Sequence, residues 1–357
     1  MLMNRIIQIA IVFSLMLVTA CTKHQIVPAP QVPDSSRSYI FFKPEICNIE
    51  LTKAILYDGD LPSAAGDNLG NGTAFGVMGY CNSTELFWGD NIAIVYRESD
   101  KGTVFKYDNL AVWQDATSIH DFYAYFPYKG VTHTVTNTEK YVNYALPNSS
   151  SAMIDILTAK NAVTKKSCSS VVPLQFSHRL WALDLIVVNN QNENPYKPGG
   201  ETKDPNLYVT DAKISLIGIP TEGKIHLNKS NTDRDNVTPT TFSTSDAPWS
   251  VDLTNTTTTI ASNKSMNIGE PLLFLPTGNL QYKIDLTLEN AWNVEYTFST
   301  EFKYFTTTKD GQKVNNTFEA GKRYQLVVTK TAESGFDVSL AVQGWDDSME
   351  DIDHTFN

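Results

Sequence analysis

The feature that most constrains this chain is a two-residue alternation of apolar and polar side chains. Tyr282, Ile284, Leu286 and Leu288 lie on one side of an extended segment, with Lys283, Asp285, Thr287 and Glu289 on the other. Trp181, Leu183, Leu185 and Val187 form a second such row, and Tyr324, Leu326 and Val328 a third. A helix repeats every 3.6 residues and a strand every two, so these segments bury one face only as strands. Turn-forming clusters fall between the runs, at Asp67-Asn68-Leu69-Gly70-Asn71-Gly72, Pro198-Gly199-Gly200 and Asp310-Gly311. No long stretch combines helical periodicity with good caps, and a short helix is expected only within Asp155 to Lys166. Many short strands with frequent turns predict an all-β chain of antiparallel β-sandwiches.

A polar, small-residue stretch at Lys165 to Ser170 is followed by a fresh apolar strand set from Val171. This predicts two sandwich domains in tandem, residues 38–170 and 171–357. Asn189 to Pro205 and Asn228 to Ser245 read as long polar loops, and Thr254 to Thr259 as a loop or an exposed edge. Trp181, Leu183, Leu185, Ile284, Leu286, Tyr324, Leu326 and Trp345 are expected in the core of the second domain, Trp345 plugging its end.

The N-terminus carries a different signal. Arg5 precedes an almost unbroken apolar run, Ile6 to Val18, which ends in Val18-Thr19-Ala20-Cys21. A basic start, a short apolar segment and small residues at a cut site make a secretory signal. The run is shorter than the roughly 20 residues that a spanning helix needs. Cysteine directly after small residues is the lipobox pattern, so residues 1–20 are expected to be removed and Cys21 to be lipidated. Several acyl chains, at about 0.8 kcal/mol per buried methylene, anchor a protein firmly. Residues 21–37 include Pro28, Pro30 and Pro33 and read as an extended tether.

The formal charge is −11, with 39 acidic residues. Nucleic-acid binding needs clustered Lys and Arg, so no nucleic-acid partner is expected. With Cys21 committed to lipid, Cys47, Cys81 and Cys168 remain. An odd number makes no disulfide framework, although Cys47 and Cys81 would pair if their strands were neighbours. Buried free thiols are the expected state. The chain contains no His-Glu-x-x-His, Gly-x-Ser-x-Gly, Walker-type or Cys-x-x-Cys motif. Catalysis, cofactors and metals are therefore not expected. Two acidic groups, Asp58, Asp60 and Asp67, and Asp346 to Asp353, do not match the calcium-loop template and read as solvated surface. His178 has no second histidine at metal-ligand spacing and is expected to be a hydrogen-bonded structural residue.

Five stretches in one order resemble the fimbrillin-like family of the Bacteroidetes, whose members are type V pilus subunits. They are Phe75-Gly76-Val77-Met78-Gly79-Tyr80, Asp121-Phe122-Tyr123-Ala124-Tyr125-Phe126-Pro127, Asp155-Ile156-Leu157-Thr158-Ala159, Val172-Pro173-Leu174-Gln175-Phe176-Ser177-His178-Arg179-Leu180, and Gly321 to Val328 with Val342-Gln343-Gly344-Trp345. The resemblance implies two transthyretin-like sandwich domains. It also implies export as an outer-membrane lipoprotein and display at the cell surface or in a fimbrium. In the family a surface protease removes an N-terminal strand, and a strand from the next subunit fills the groove. Other fimbrial subunits, the outer membrane and a host or bacterial surface ligand are the partners this implies. The alternative is a monomeric surface lipoprotein that binds host or dietary glycans or proteins.

The first strand is expected at Tyr39-Ile40-Phe41-Phe42, continuing past Pro44. Lys53 and Arg37 are the candidate cleavage residues. A cut after Lys53 frees the strand, whereas one after Arg37 sheds only the tether. Replacing Cys21 by Ser should release the protein from membranes or leave it unprocessed. A Cys21→Ser protein that still carries lipid and partitions with the outer membrane would show that Cys21 is not the acceptor.

Overall fold

The computed structural model describes residues 38–46, 74–83, 85–99, 102–107, 110–128, 131–136, 139–168, 171–190, 206–229, 236–253, 258–309, 312–331 and 335–344. The alternating segments form strands that gather into four principal sheets. The first has seven strands, in the order Phe41–Ile46, Val171–His178, Leu157–Val163, His120–Phe126, Ala74–Cys81, Glu85–Ser99 and Gly102–Lys106. Its neighbours pair antiparallel, except that Phe41–Ile46 runs parallel to Val171–His178.

Both faces of this sheet are covered, which explains its aromatic central strands. Every residue of Ala74–Cys81 and of His120–Phe126 is buried. Phe122, Ala124 and Phe126 join one core with Phe75, Val77 and Phe176. Tyr123 and Tyr125 point the other way and join Met78 and Tyr80 in a second core. Gly76 lies on the second face, against Asn91 and Tyr125. A Cβ there would stand 2.5 Å from Asn91 Oδ1 and 2.6 Å from Tyr125 Cε1, so only glycine lets the strands pack this closely.

The sheet facing Met78 and Tyr80 is assembled from both halves of the chain. Its order is Val237–Phe242, Pro220–His226, Lys140–Ala145 and Thr132–Val135. Glu222 pairs with Ala145 and His226 with Tyr141, which joins the two hairpins side by side. The other two sheets form a sandwich. One is Lys264–Phe274, Trp181–Asn190, Lys322–Thr331 and Phe336–Gly344. The other is Trp249–Asp252, Leu207–Ile217, Gln281–Asn290 and Glu295–Ser299, with Thr258–Ile260 beside Leu207–Ile217 and Lys303–Tyr304 beside Gln281–Asn290.

Seven of the eight residues expected in this core are there: Trp181, Leu183, Leu185, Ile284, Leu286, Tyr324 and Leu326 are all buried in one cluster. Trp345 lies outside the described residues. Trp181 stacks on Phe318 with centroids 4.3 Å apart, and its indole N–H donates to the Leu275 carbonyl at 2.8 Å.

The expected break between residues 170 and 171 does not separate two sheets. Val171–His178 stands between Leu157–Val163 and Phe41–Ile46 in the first sheet. The polar stretch before it is a tight connection. Thr164 N–H donates to Ser167 Oγ at 3.0 Å and Ser167 N–H to Thr164 Oγ1 at 3.1 Å, around one helical turn, Lys165–Cys168. Small polar side chains serve turns as readily as linkers. The short helix expected within Asp155 to Lys166 is a strand over Leu157–Val163, followed by only the start of that turn. The expected loop Asn228 to Ser245 contains the strand Val237–Phe242. The Thr-rich run ends in the strand Thr258–Ile260.

One polar interaction in the interior invites a test. Arg323 donates to Asp184 with Nη2 2.9 Å from Oδ1, and both side chains are 2% exposed. Replacing Arg323 by Met alone should cost about 3–5 kcal/mol, because Asp184 would keep a buried, uncompensated charge. The double substitution Arg323→Met with Asp184→Leu should recover most of that loss in chemical denaturation. A single variant as stable as the parent would mean that the pair is hydrated.

Candidate functional site: a slot filled by the N-terminal strand

The segment 38–46 enters the first sheet as an edge strand, held on two sides. From Phe41 to Ile46 it pairs in parallel register with Val171 to Phe176. Before that it meets the segment 110–113: Ile40 N–H donates to the Ala111 carbonyl at 2.9 Å, Trp113 N–H to the Ser38 carbonyl at 3.3 Å, and Tyr39 bridges Val112. Tyr107 closes the junction. Its hydroxyl donates to the Ile40 carbonyl at 2.5 Å and accepts from Ala111 N–H at 3.2 Å. Burial pushes the Tyr107 phenol well above its ordinary value, so it stays a donor.

Alternation divides this strand cleanly. Ile40 and Phe42 are buried, whereas Phe41 is 40% exposed. The Phe42 ring stacks on Trp88 at 5.6 Å and meets Phe122 edge-on at 5.3 Å, with Tyr107 at 5.9 Å. Val172 and Leu174, opposite Phe42 and Pro44, face the same core. Pro44 has no N–H to donate, which an edge strand tolerates. Burying Ile40 and Phe42 contributes about 1.5–3 kcal/mol each.

The segment that receives Tyr39 is braced by its own loop. Asp115 accepts from the backbone N–H groups of Thr117 and Ser118, both at 2.6 Å; the Ser118 hydroxyl first, and then these backbone bonds, hold its carboxyl far below the usual carboxylate range. His120 is fully buried. Its Nδ1–H donates to the Ser118 carbonyl at 3.0 Å, leaving Nε2 to accept from Gln114 N–H at 3.4 Å. Its ring meets Trp113 and Phe87 edge-on, each at 4.9 Å.

The expected first strand is therefore present, whereas Cys21, Arg37, Cys47 and Lys53 lie outside the described residues, as do Asp58, Asp60, Asp67 and the acidic C-terminus. Trp88, Tyr107 and Trp113, which shape the slot, were not singled out by alternation. Their only signal in the sequence is their aromatic character. His178 has the structural role expected: Nδ1 lies 2.6 Å from Asp155 Oδ2, both buried. Cys81 is a buried free thiol and Cys168 a half-buried one, its thiol pushed up by burial. Among the described residues no group of three or more His, Cys, Asp or Glu is placed to hold a metal. No helix among them is long and apolar enough to cross a membrane. Replacing Phe42 by Ala should cost about 3–5 kcal/mol. Replacing the exposed Phe41 by Ala should cost under about 0.5 kcal/mol. Equal losses in urea melts would mean that the slot does not select one face of the strand.

A search of curated proteins finds no match to this chain. Among solved structures it is similar to a proposed cell-adhesion protein of Bacteroides uniformis, at 16% identity and a TM-score of 0.53, over 88% of this chain and 100% of that one. A fimbrial protein of Bacteroides vulgatus aligns at 16% identity, over 76% of this chain and 92% of that one, with a TM-score of 0.48. The fimbrial anchor protein Mfa2 of Porphyromonas gingivalis aligns at 10% identity, over 86% and 96%, with a TM-score of 0.37. The first of these likenesses supports the β-sandwich fold. The model of one protein family matches residues 63–345, most of the chain. The chain belongs to the fimbrillin-like family.

Proposed function

We propose that this protein is a structural or adhesive subunit of a cell-surface fimbrium, exported as a lipoprotein through Cys21 and joined to its neighbours by strand exchange. The observation that carries the reading is the placement of residues 38–46. They form an edge strand whose two buried side chains fill a slot in a sheet that is otherwise antiparallel. While covalently attached, this strand competes for its slot at an effective concentration in about the millimolar range. After a cut at Lys53 it becomes a dilute peptide, and a neighbour's strand can replace it. Parallel pairing is slightly weaker per residue than antiparallel, so a donor running the other way would gain better hydrogen bonds. A cut at Arg37 would leave the strand in place and give a subunit that accepts no donor. Outer-membrane anchoring and display on the surface follow from the lipidated N-terminus. Family membership together with a packed, non-catalytic slot supports a structural role over an enzymatic one.

The test compares the chain lacking residues 1–53 with the chain starting at Thr22. The truncated form should oligomerise into ladders that survive mild detergent, or take up a synthetic peptide copying residues 38–46. The longer form should remain monomeric and bind no peptide. Equal behaviour of the two forms would overturn strand exchange.

A further inference from the structure

The sheet shared between the two halves of the chain has a second face, and a cleft opens at its edge, reaching the core residues Tyr144 and Ile156. Val142, Tyr144 and Ile225 point inward. Alternation therefore sends Tyr141, Asn143 and Ala145 outward, and the register places His226, Lys224 and Glu222 beside them on the same face. A cleft of about 520 Å³ opens here, lined by Asn143, Ala145, Glu222 and Lys224, with Thr132 and Thr240 from the flanking strands. Pro147 and Ile154 line it too, from the segment that follows Lys140–Ala145, and Ile154 is 43% exposed. The volume falls within the range of small-molecule sites.

The chemistry of this lining narrows the ligand. Glu222 offers a carboxylate acceptor, Asn143 both donor and acceptor, Lys224 an ammonium donor, and the two threonines hydroxyls that serve either way. The formal charges of Glu222 and Lys224 cancel, which does not favour a phosphate or a nucleic acid. Pro220–His226 and Lys140–Ala145 are the two central strands of their sheet, paired on both sides, so they offer no free edge to a peptide strand. Apolar groups make much of the lining, Ala145, Pro147 and Ile154 together with Val131, Ala152 and Ile156, and the polar groups stand beside them. Lys224 is held in place, its Nζ 4.2 Å from the centroid of the Tyr141 ring. Hydrogen bonds with Thr134 and Lys224 hold the Tyr141 phenol below its ordinary value.

We propose that this cleft binds a short, uncharged oligosaccharide. Glu222 and Asn143 take vicinal hydroxyls, Lys224 donates to a ring or glycosidic oxygen, and the C–H face of a sugar rests on Pro147 and Ile154. Because the strands that supply Asn143 and Lys224 come from opposite halves of the chain, the site exists only when the shared sheet has formed. It does not include the slot filled by residues 38–46.

The test applies the chain starting at Thr22 to an array of defined neutral and acidic oligosaccharides. Isothermal titration with the best-bound member follows. Neutral members should bind, and Glu222→Gln and Asn143→Ala should each weaken binding at least tenfold. Ala145→Trp, which fills the cleft, should abolish it. All three residues are at least partly exposed, so thermal unfolding should stay unchanged, separating lost binding from lost fold. A Phe42→Ala variant should retain binding, so failure of strand exchange and failure of this site are told apart. No neutral member bound, a preference confined to acidic members, or binding indifferent to the three substitutions would overturn the proposal.

Discussion

The fold depends on covering both faces of the seven-stranded sheet. Its central strands, Ala74–Cys81 and His120–Phe126, place large apolar or aromatic side chains on each side. Neither face can be left to water. One is covered by a sheet to which each half of the chain contributes a hairpin. The other is closed by the side chains of the sheet itself, by the segment carrying Tyr107, Ala111 and Trp113, and by Ile40 and Phe42. The N-terminal strand is thus part of a core and at the same time an edge. Such a strand costs a great deal to remove and little to substitute, provided the replacement brings equivalent side chains.

This arrangement ties stability to the seating of residues 38–46. A slot lined by Trp88, Tyr107 and Phe122 is an aggregation hazard when empty, because it joins an apolar surface to unpaired backbone groups of Val171–His178. The chain's own strand, seated in the slot, removes that hazard. The rest of the structure is a further packed core. In the C-terminal sandwich, Trp181 packs among Phe274, Phe318 and Tyr324, and the Asp184–Arg323 pair lies buried on the same strand set.

Local pattern made much of this legible in the sequence. Strands show their period directly, so the rows at Trp181, Tyr282 and Tyr324 were readable, as was the first strand at Tyr39 to Phe42. The aromatic stretch Phe122 to Phe126, marked in the sequence by the family resemblance, is buried on both faces. Partner choice was not legible, because a strand's alternation fixes which side it buries and says nothing about its neighbours. For that reason the sequence does not reveal that Val171–His178 joins Leu157–Val163, nor that Pro220–His226 pairs with Lys140–Ala145. The same limit applies to the slot. Ile40 and Phe42 could be named from alternation, but the groups that receive them come from loops and edges brought together by the fold.

The central claim is that residues 38–46 occupy a slot that another strand must enter, and a reversible lock tests it most directly. Phe41 and Val171 are opposite in parallel register and both exposed, at 40% and 44%. Cysteines at these two positions would tie the strand to its neighbour without touching the core. Assembly into detergent-resistant ladders, followed after proteolysis at Lys53, should be blocked while the disulfide is intact and restored when it is reduced. Ladders that form equally well with the lock closed would contradict the account.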